Sequence, residues 1–152
     1  MKNFKLLAAI LVLAVSMTIY SCDPDTTDDT PSGPSFTITE VDMAPSDVAS
    51  APEINGKIKV KNNTGEQINL YWIRNNVSVP TGWEATVCDH ELCNPVSTTE
   101  RDLILNADQE IELKLTFYAN GTRGSGSADL VIYDKADEAG TTATYTFNAT
   151  AN

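Results

Sequence analysis

Apolar and polar residues alternate with a period of two along most of the chain after residue 35. In one segment Ile58 and Val60 alternate with three lysines, and a later segment alternates from Ile111 to Phe117. Successive side chains of a β-strand point to opposite faces, so this period predicts strands with one buried face. The strand candidates are Phe36–Val41, Lys57–Lys61, Ile68–Ile73, Trp83–Cys88, Leu103–Leu105, Ile111–Phe117, Leu130–Asp134 and Tyr145–Phe147.

The number and spacing of these segments predict the fold class. Turn signals separate them, including Asn106-Ala107-Asp108 and Asn120-Gly121, and no segment carries an apolar stripe at helical spacing. Seven or eight short strands, spaced about ten to twelve residues apart, are typical of a two-sheet all-β domain. We therefore expect an immunoglobulin-like antiparallel β-sandwich over residues 36–152.

The alternation also assigns aromatic residues to faces. Residues two apart in a strand share a face, and we say that they have the same parity. Trp72 has the parity of Ile68 and Leu70, and Trp83 has that of Ala85 and Val87. We therefore expect both tryptophans to pack in the core. Tyr71 has the opposite parity and is expected on the outer face. Thr86 and Cys88 are likewise predicted to face outward from their strand.

The first 21 residues have the layout of a secretory signal peptide. A basic start with Lys2 and Lys5 precedes an apolar run, Leu6–Val15, and a short segment that ends in Ser21. A retained transmembrane helix is the alternative, but it would need about 20 mainly apolar residues. The sequence favours an exported chain whose leader, residues 1–21, is removed.

The end of this leader resembles the lipobox that lipoprotein signal peptidase reads. The matching residues are Ile19-Tyr20-Ser21-Cys22, although Tyr20 is bulkier than the residue usual at its position. The resemblance implies cleavage before Cys22 and its modification with palmitate-type acyl chains. Two or three such chains, at about 0.8 kcal/mol per buried methylene, would hold the protein on a membrane.

Residues 22–35 are predicted to be a flexible acidic tether. They contain four aspartates and three prolines, and no apolar side chain beyond those prolines that could pack. The acidic stretch behind Cys22 resembles the signal that sends Bacteroidota lipoproteins to the outer leaflet of the outer membrane, and Asp25-Thr26-Thr27 resembles that phylum's O-glycosylation motif. The resemblance implies a cell-surface location, and an unmodified linker at the periplasmic face is the alternative.

The charge of the chain excludes some partners. The formal net charge is -11, and loss of Lys2 and Lys5 with the leader gives 8 - 21 = -13. So acidic a protein is repelled by phosphate backbones and by anionic headgroups. No nucleic-acid partner is expected, and the membrane contact is assigned to lipid on Cys22.

Several short motifs resemble immunoglobulin-like modules of secreted and surface proteins from Bacteroidota. They are Gly56-Lys57-Ile58-Lys59-Val60-Lys61-Asn62-Asn63-Thr64, Val79-Pro80-Thr81-Gly82-Trp83, Val87-Cys88-Asp89 and Phe117-Tyr118-Ala119-Asn120-Gly121. The resemblance implies the fold and an exposed location. It implies no catalytic residues, because such modules share none.

Cys88 and Cys93 flank the only segment that combines cysteine, histidine and carboxylates. An exported chain meets an oxidising compartment, and Cys22 is assigned to lipid, so a Cys88–Cys93 disulfide is expected. A metal site with His90 is the alternative. Six consecutive residues wrap a tetrahedral ion poorly, and structural zinc sites draw ligands from two separated segments. We therefore predict no metal and no cofactor.

The sequence predicts a non-enzymatic interaction or structural module. It lacks a serine–histidine–aspartate order with a nucleophile elbow, and it lacks a phosphate-binding glycine loop. The alternatives are a carbohydrate-binding accessory lipoprotein of a glycan-uptake system and, less favoured, a small enzyme. The candidate ligand is a protein or a glycan, and the candidate binding residues are Tyr71, Trp72, Trp83 and Tyr118.

Overall fold

The computed structural model describes residues 33–43 and 53–152, apart from the side chains of residues 40–43 and 76. This part of the chain contains eight strands and no helix that could cross a membrane. The strands are β1 (Phe36–Met43), β2 (Glu53–Asn62), β3 (Ile68–Ser78), β4 (Glu84–Cys88), β5 (Glu100–Leu105), β6 (Glu110–Tyr118), β7 (Gly124–Asp134) and β8 (Thr142–Ala151). The predicted leader, lipobox and most of the tether lie outside the described residues.

The strands form two four-stranded antiparallel sheets. The first sheet has the order β1-β2-β6-β4, and the second has the order β5-β3-β7-β8. Buried residues of both sheets form one hydrophobic core. The predicted all-β, immunoglobulin-like antiparallel sandwich is confirmed.

The core is built from the positions that the alternation assigned to the inner faces. Trp72, Phe117 and Phe147 come from β3, β6 and β8 and are fully buried. In β2 the buried positions Ile58 and Val60 alternate with lysines that reach solvent. Each large apolar side chain contributes about 1.5–3 kcal/mol through burial.

One predicted outer face is wrong, because a connecting segment covers it. Thr86 and Cys88 were expected to face solvent, but they are only 3% and 7% exposed. Residues 89–99 cross from β4 to β5, and the Thr86 hydroxyl donates a hydrogen bond to the carbonyl of Asn94. The Asn94 backbone and side-chain amides both donate to the Val87 carbonyl, at 3.0 and 2.9 Å.

A buried arginine links the two sheets at the same side of the sandwich. Arg74 lies on β3, and its guanidinium donates to the carbonyl of Ala85 on β4 and, at 2.7 Å, to that of Val96. Burial lowers the pKa of Arg74. Since β3 and β4 belong to different sheets, this side chain joins them through backbone hydrogen bonds.

Two of the sequence motifs meet at one end of the sandwich. The Trp83 indole donates to the carbonyl of Thr122 at 2.7 Å, and the Asn120 side chain donates to the carbonyl of Gly82 at 2.9 Å. Asn120 and Gly121 have φ angles of 50° and 78°, which place a tight left-handed turn after β6. The two loops are therefore joined by hydrogen bonds in both directions.

Candidate functional site

Pairing within the second sheet gathers apolar and aromatic residues on its outer face. The register places Tyr71 of β3 opposite Tyr133 of β7, and Ile73 opposite Val131. Ile104 of β5 lies on the same face and is 49% exposed, whereas the other four residues are partly exposed. We call these five residues, Tyr71, Ile73, Ile104, Val131 and Tyr133, the tyrosine face.

The two tyrosine rings are inclined to each other rather than coplanar, and we call this pair the notch. Their ring centroids lie 5.5 Å apart and their planes are inclined by 44°. Aromatic rings in this arrangement attract each other, so the pair holds its own shape without a ligand. Because the rings are not coplanar, one flat ring cannot stack on both tyrosines at once.

Charged groups frame the notch. The Lys135 ammonium lies 2.7 Å from Asp102 Oδ1 and 5.6 Å from the centroid of the Tyr71 ring, close enough for a cation–π interaction. Burial, a hydrogen bond with Glu100 and the negative charges of Glu100 and Asp102 raise the pKa of Tyr71. The face thus offers an aromatic surface together with hydrogen-bonding groups of both charges.

Two open hollows adjoin the tyrosine face. The first has a volume of about 480 Å³, and Asp102, Ile104 and Lys135 contribute to its lining. The second has a volume of about 410 Å³ and is lined in part by Tyr133 and Glu138. Both are surface depressions beside a sheet, a shape that suits an extended or shallow ligand better than an enclosed small molecule.

The structure separates the four aromatic residues that the sequence named for binding. Trp72 and Trp83 are 0% and 6% exposed, so their rings belong to the core and cannot stack on a ligand. Tyr118 lies on the outer face of the other sheet, where partial burial and the charges of Glu53 and Glu84 raise its pKa. Only Tyr71 lies within an exposed aromatic cluster.

The cysteine segment forms a loop that is closed by a disulfide. Cys88 and Cys93 are joined by a disulfide, as predicted. Arg101 of β5 holds the loop by donating to Asp89, at 2.7 Å, and to Glu91. Within residues 33–43 and 53–152, no three histidine, cysteine or acidic side chains are grouped as ligands for a metal ion.

Sequence reasoning missed most of the tyrosine face. The parity of Leu130 and Ile132 already placed Tyr133 on an outer face. The sequence does not reveal that β3 pairs with β7. This pairing places Tyr133 beside Tyr71, although the two residues are about sixty positions apart in the chain. Asp102 and Lys135 could not be identified as site residues from the sequence, because isolated charged residues on outer faces are common.

Comparisons with known proteins identify the fold and no family. Neither a protein-family model nor a curated protein sequence matches the chain. Among solved structures, the N-terminal domain of PorA superimposes with a TM-score of 0.50 and 13% identity, covering 77% of this chain and 97% of that domain. A FixG-related protein from Vibrio parahaemolyticus superimposes with a TM-score of 0.52 and 10% identity, covering 79% and 99%. At such identities the similarity concerns the fold alone.

Proposed function

We propose that this chain is a lipid-anchored, non-enzymatic protein of the cell envelope whose β-sandwich binds a partner through the tyrosine face. The observation that carries the binding role is the Tyr71–Tyr133 notch, which lies on a sheet face with Ile104, an apolar side chain 49% exposed. Aromatic side chains that keep their shape without a ligand lose little entropy on binding and are frequent anchors of interfaces.

The anchor is supported by the order of segments in the sequence. The leader-like residues 1–21, Cys22 in a lipobox-like setting and the acidic residues 23–35 precede the first strand, which begins at Phe36. Lipid on Cys22 would leave the folded part of the chain exposed at the outer membrane, on the cell surface or, alternatively, on the periplasmic face.

The favoured partner is a protein segment. The 44° inclination of the two rings suits an inserted side chain, and the adjoining hollows suit an extended backbone. Carbohydrate binding, as in an accessory lipoprotein of glycan uptake, is the second candidate. It is favoured by the accessible Tyr71 ring with Asp102 and Lys135 beside it, since such groups can stack on a sugar and hydrogen-bond its hydroxyls.

The location is tested by protease digestion of intact cells. Three forms are compared: wild type, Cys22→Ala, and a form in which Asp23, Asp25, Asp28 and Asp29 are alanine. We expect digestion of the wild type, protection of the tether variant, and incorporation of radiolabelled palmitate into the wild type but not into Cys22→Ala. Protection of the wild type would place the protein in the periplasm, and absence of the label from the wild type would exclude the lipid anchor.

The binding role is tested with two matched tyrosine variants. Tyr71→Ala and Tyr118→Ala each remove one partly exposed tyrosine, but from opposite outer faces of the sandwich. The wild-type protein is screened against envelope proteins and against glycan arrays, and both variants are then measured on each ligand found. We expect Tyr71→Ala to weaken binding at least tenfold and Tyr118→Ala to leave it unchanged, and equal effects would exclude the tyrosine face.

A further inference from the structure

The four edge strands of the two sheets differ in how they are protected against pairing with another chain. An edge strand exposes unpaired backbone amides and carbonyls, and natural proteins protect such edges with bulges, charges, prolines, short strands or covering segments. In the described part of the chain the edge strands are β1 and β4 in the first sheet and β5 and β8 in the second.

Three of these edges carry protection. The register of β1 shifts between Glu40 and Asp42, which bends that edge. The five-residue strand β4 is covered, because Arg74 and Asn94 occupy its outward carbonyls. The six-residue strand β5 begins with three charged residues, Glu100, Arg101 and Asp102.

Strand β8 has no register shift, no charged residue and no proline. It pairs with β7 through ten consecutive residues without a register shift, from Thr142 to Ala151. Residues 141–152 contain neither a charged residue nor a proline, in a chain whose net charge is -11. Its outward side chains are Thr142, Thr144, Thr146, Asn148 and Thr150.

We propose that β8 pairs antiparallel with β8 of a second copy of this chain. Two copies that each carry excess negative charge repel each other at most surfaces, and the residues of this edge carry no charge of their own. The nearest described carboxylate, that of Asp129 on β7, accepts a hydrogen bond from the Thr146 hydroxyl at 2.7 Å. The sequence of β8 also complements itself. With full overlap Thr146 faces the partner's Thr146 and Thr142 faces the partner's Thr150, and threonine pairs are favourable across antiparallel strands.

The pairing would join the second sheets of two copies into one sheet of eight strands. Residues opposite each other in this register share the same parity, so the outer faces of both copies lie on the same side. Two tyrosine faces would then be presented together, since β7, which carries Tyr133, neighbours β8. Such an arrangement would strengthen the binding of a repetitive partner through avidity.

Cysteine cross-linking on the full-length, membrane-bound chain tests this pairing. Thr146→Cys places the new thiol where it meets its own copy, within about 4.5–5.5 Å between Cα atoms. Thr142→Cys is the matched control on the same strand and face, because the two copies of residue 142 would lie about 27 Å apart at about 3.4 Å per residue. Under mild oxidation we expect at least tenfold more covalent dimer from Thr146→Cys than from Thr142→Cys or wild type.

A second set of variants tests the register and the charge argument. The double variant Thr142→Cys/Thr150→Cys should form the dimer that neither single variant forms. Adding Thr146→Asp to the double variant should abolish the dimer, because two carboxylates, each already beside an Asp129, would then face each other. Melting temperatures measured on each variant establish that it is folded.

Each of the other outcomes overturns the proposal. Equal dimer from Thr146→Cys and Thr142→Cys would indicate random collisions, and a persistent dimer in the variant that carries Thr146→Asp would exclude this register. If the thiol introduced by Thr146→Cys reacts with maleimide but forms no dimer, the edge is unpaired. If that thiol reacts only after unfolding, again without dimer, the chain itself covers β8.

Discussion

At the scale of single residues, Asn62 shows how one side chain can fasten two loops. It is fully buried at the end of β2, and its side-chain amide donates to the carbonyls of Glu66 and Asn106 at 2.7 and 2.8 Å. Its carbonyl oxygen accepts from the backbone and the hydroxyl of Thr64, both at 2.8 Å. The β2–β3 and β5–β6 turns are therefore joined through Asn62.

We expect Asn62→Ala to lower the free energy of unfolding by about 3 kcal/mol. The substitution removes the side-chain partner of the buried Leu105 carbonyl and of several part-buried backbone groups, and losing the partner of a buried group costs about 1–3 kcal/mol. Urea unfolding measures the change. Asn63→Ala is the control, since this exposed neighbour makes only exposed hydrogen bonds through its side chain and should cost less than about 1 kcal/mol. Equal losses would contradict the role assigned to Asn62.

Asp89 is expected to make stability depend on pH in the acid range. Its side chain is 1% exposed, and although burial raises its pKa, hydrogen bonds from the Leu92 and Glu91 amides and from Asn94, with the charge of Arg101, lower it overall. A lowered folded-state pKa stabilises the protein above the unfolded value of about 3.9. This contribution is lost as the pH falls through the folded-state pKa.

The matching experiment compares wild type with Asp89→Asn between pH 6 and pH 2.5. We expect the variant to be less stable by about 2 kcal/mol at pH 6, as is usual for hydrogen bonds to a charged group, and the difference to shrink below about pH 4. Asp108→Asn is the control, because Asp108 is exposed at a turn and its φ of 57° suits asparagine. A difference that stays constant with pH would contradict the prediction.

At the scale of elements, the loop closed by Cys88 and Cys93 stiffens the crossing from β4 to β5. The disulfide joins cysteines five residues apart, and the chain-entropy model gives about 2 kcal/mol for so short a loop. We expect Cys88→Ala/Cys93→Ala to lose about this amount of stability in urea unfolding. Reducing agent should destabilise the wild type similarly and leave the double variant unchanged, and a double variant that responds would contradict the assignment.

The strands and their buried faces could be predicted from the sequence because local alternation determines them. Residues such as Ile58, Leu70 and Leu113 lie in the core as their parity indicated. The face of β4 could not be predicted, since Thr86 is buried by the Asn94 region of a connection that shows no alternation. Whether a strand face is buried depends on which connecting segments pack over it, and the alternation within the strand does not show this.

The same limit applies to the candidate site. Parity assigned Tyr71 to an outer face, but the neighbours that give it a binding surface come from β5 and β7. Tyr133 and Asp102 reach Tyr71 only through strand pairing between segments far apart in the chain. A surface built from three strands is therefore a property of the sheet order, which no short segment encodes.

At the scale of the whole molecule, the excess of acidic residues opposes folding. The chain has 21 aspartates and glutamates against 10 lysines and arginines, so most carboxylates lack a cation of their own. Ion pairs on the described surface, such as Lys57–Glu112 and Lys59–Glu110, are exposed. Pairs of this kind contribute at most about 1 kcal/mol each, so repulsion between like charges is the larger effect.

We therefore expect salt to stabilise this protein near neutral pH. Raising sodium chloride from about 10 to about 300 mM shortens the Debye length from about 30 Å to less than about 8 Å, which screens repulsion across the whole surface while weakening a few exposed ion pairs. The melting temperature at pH 7 should rise by a few degrees, which calorimetry can measure. At the isoelectric point the net charge vanishes, and the rise should vanish with it. A fall in melting temperature with salt at pH 7 would mean that specific ion pairs outweigh the net repulsion.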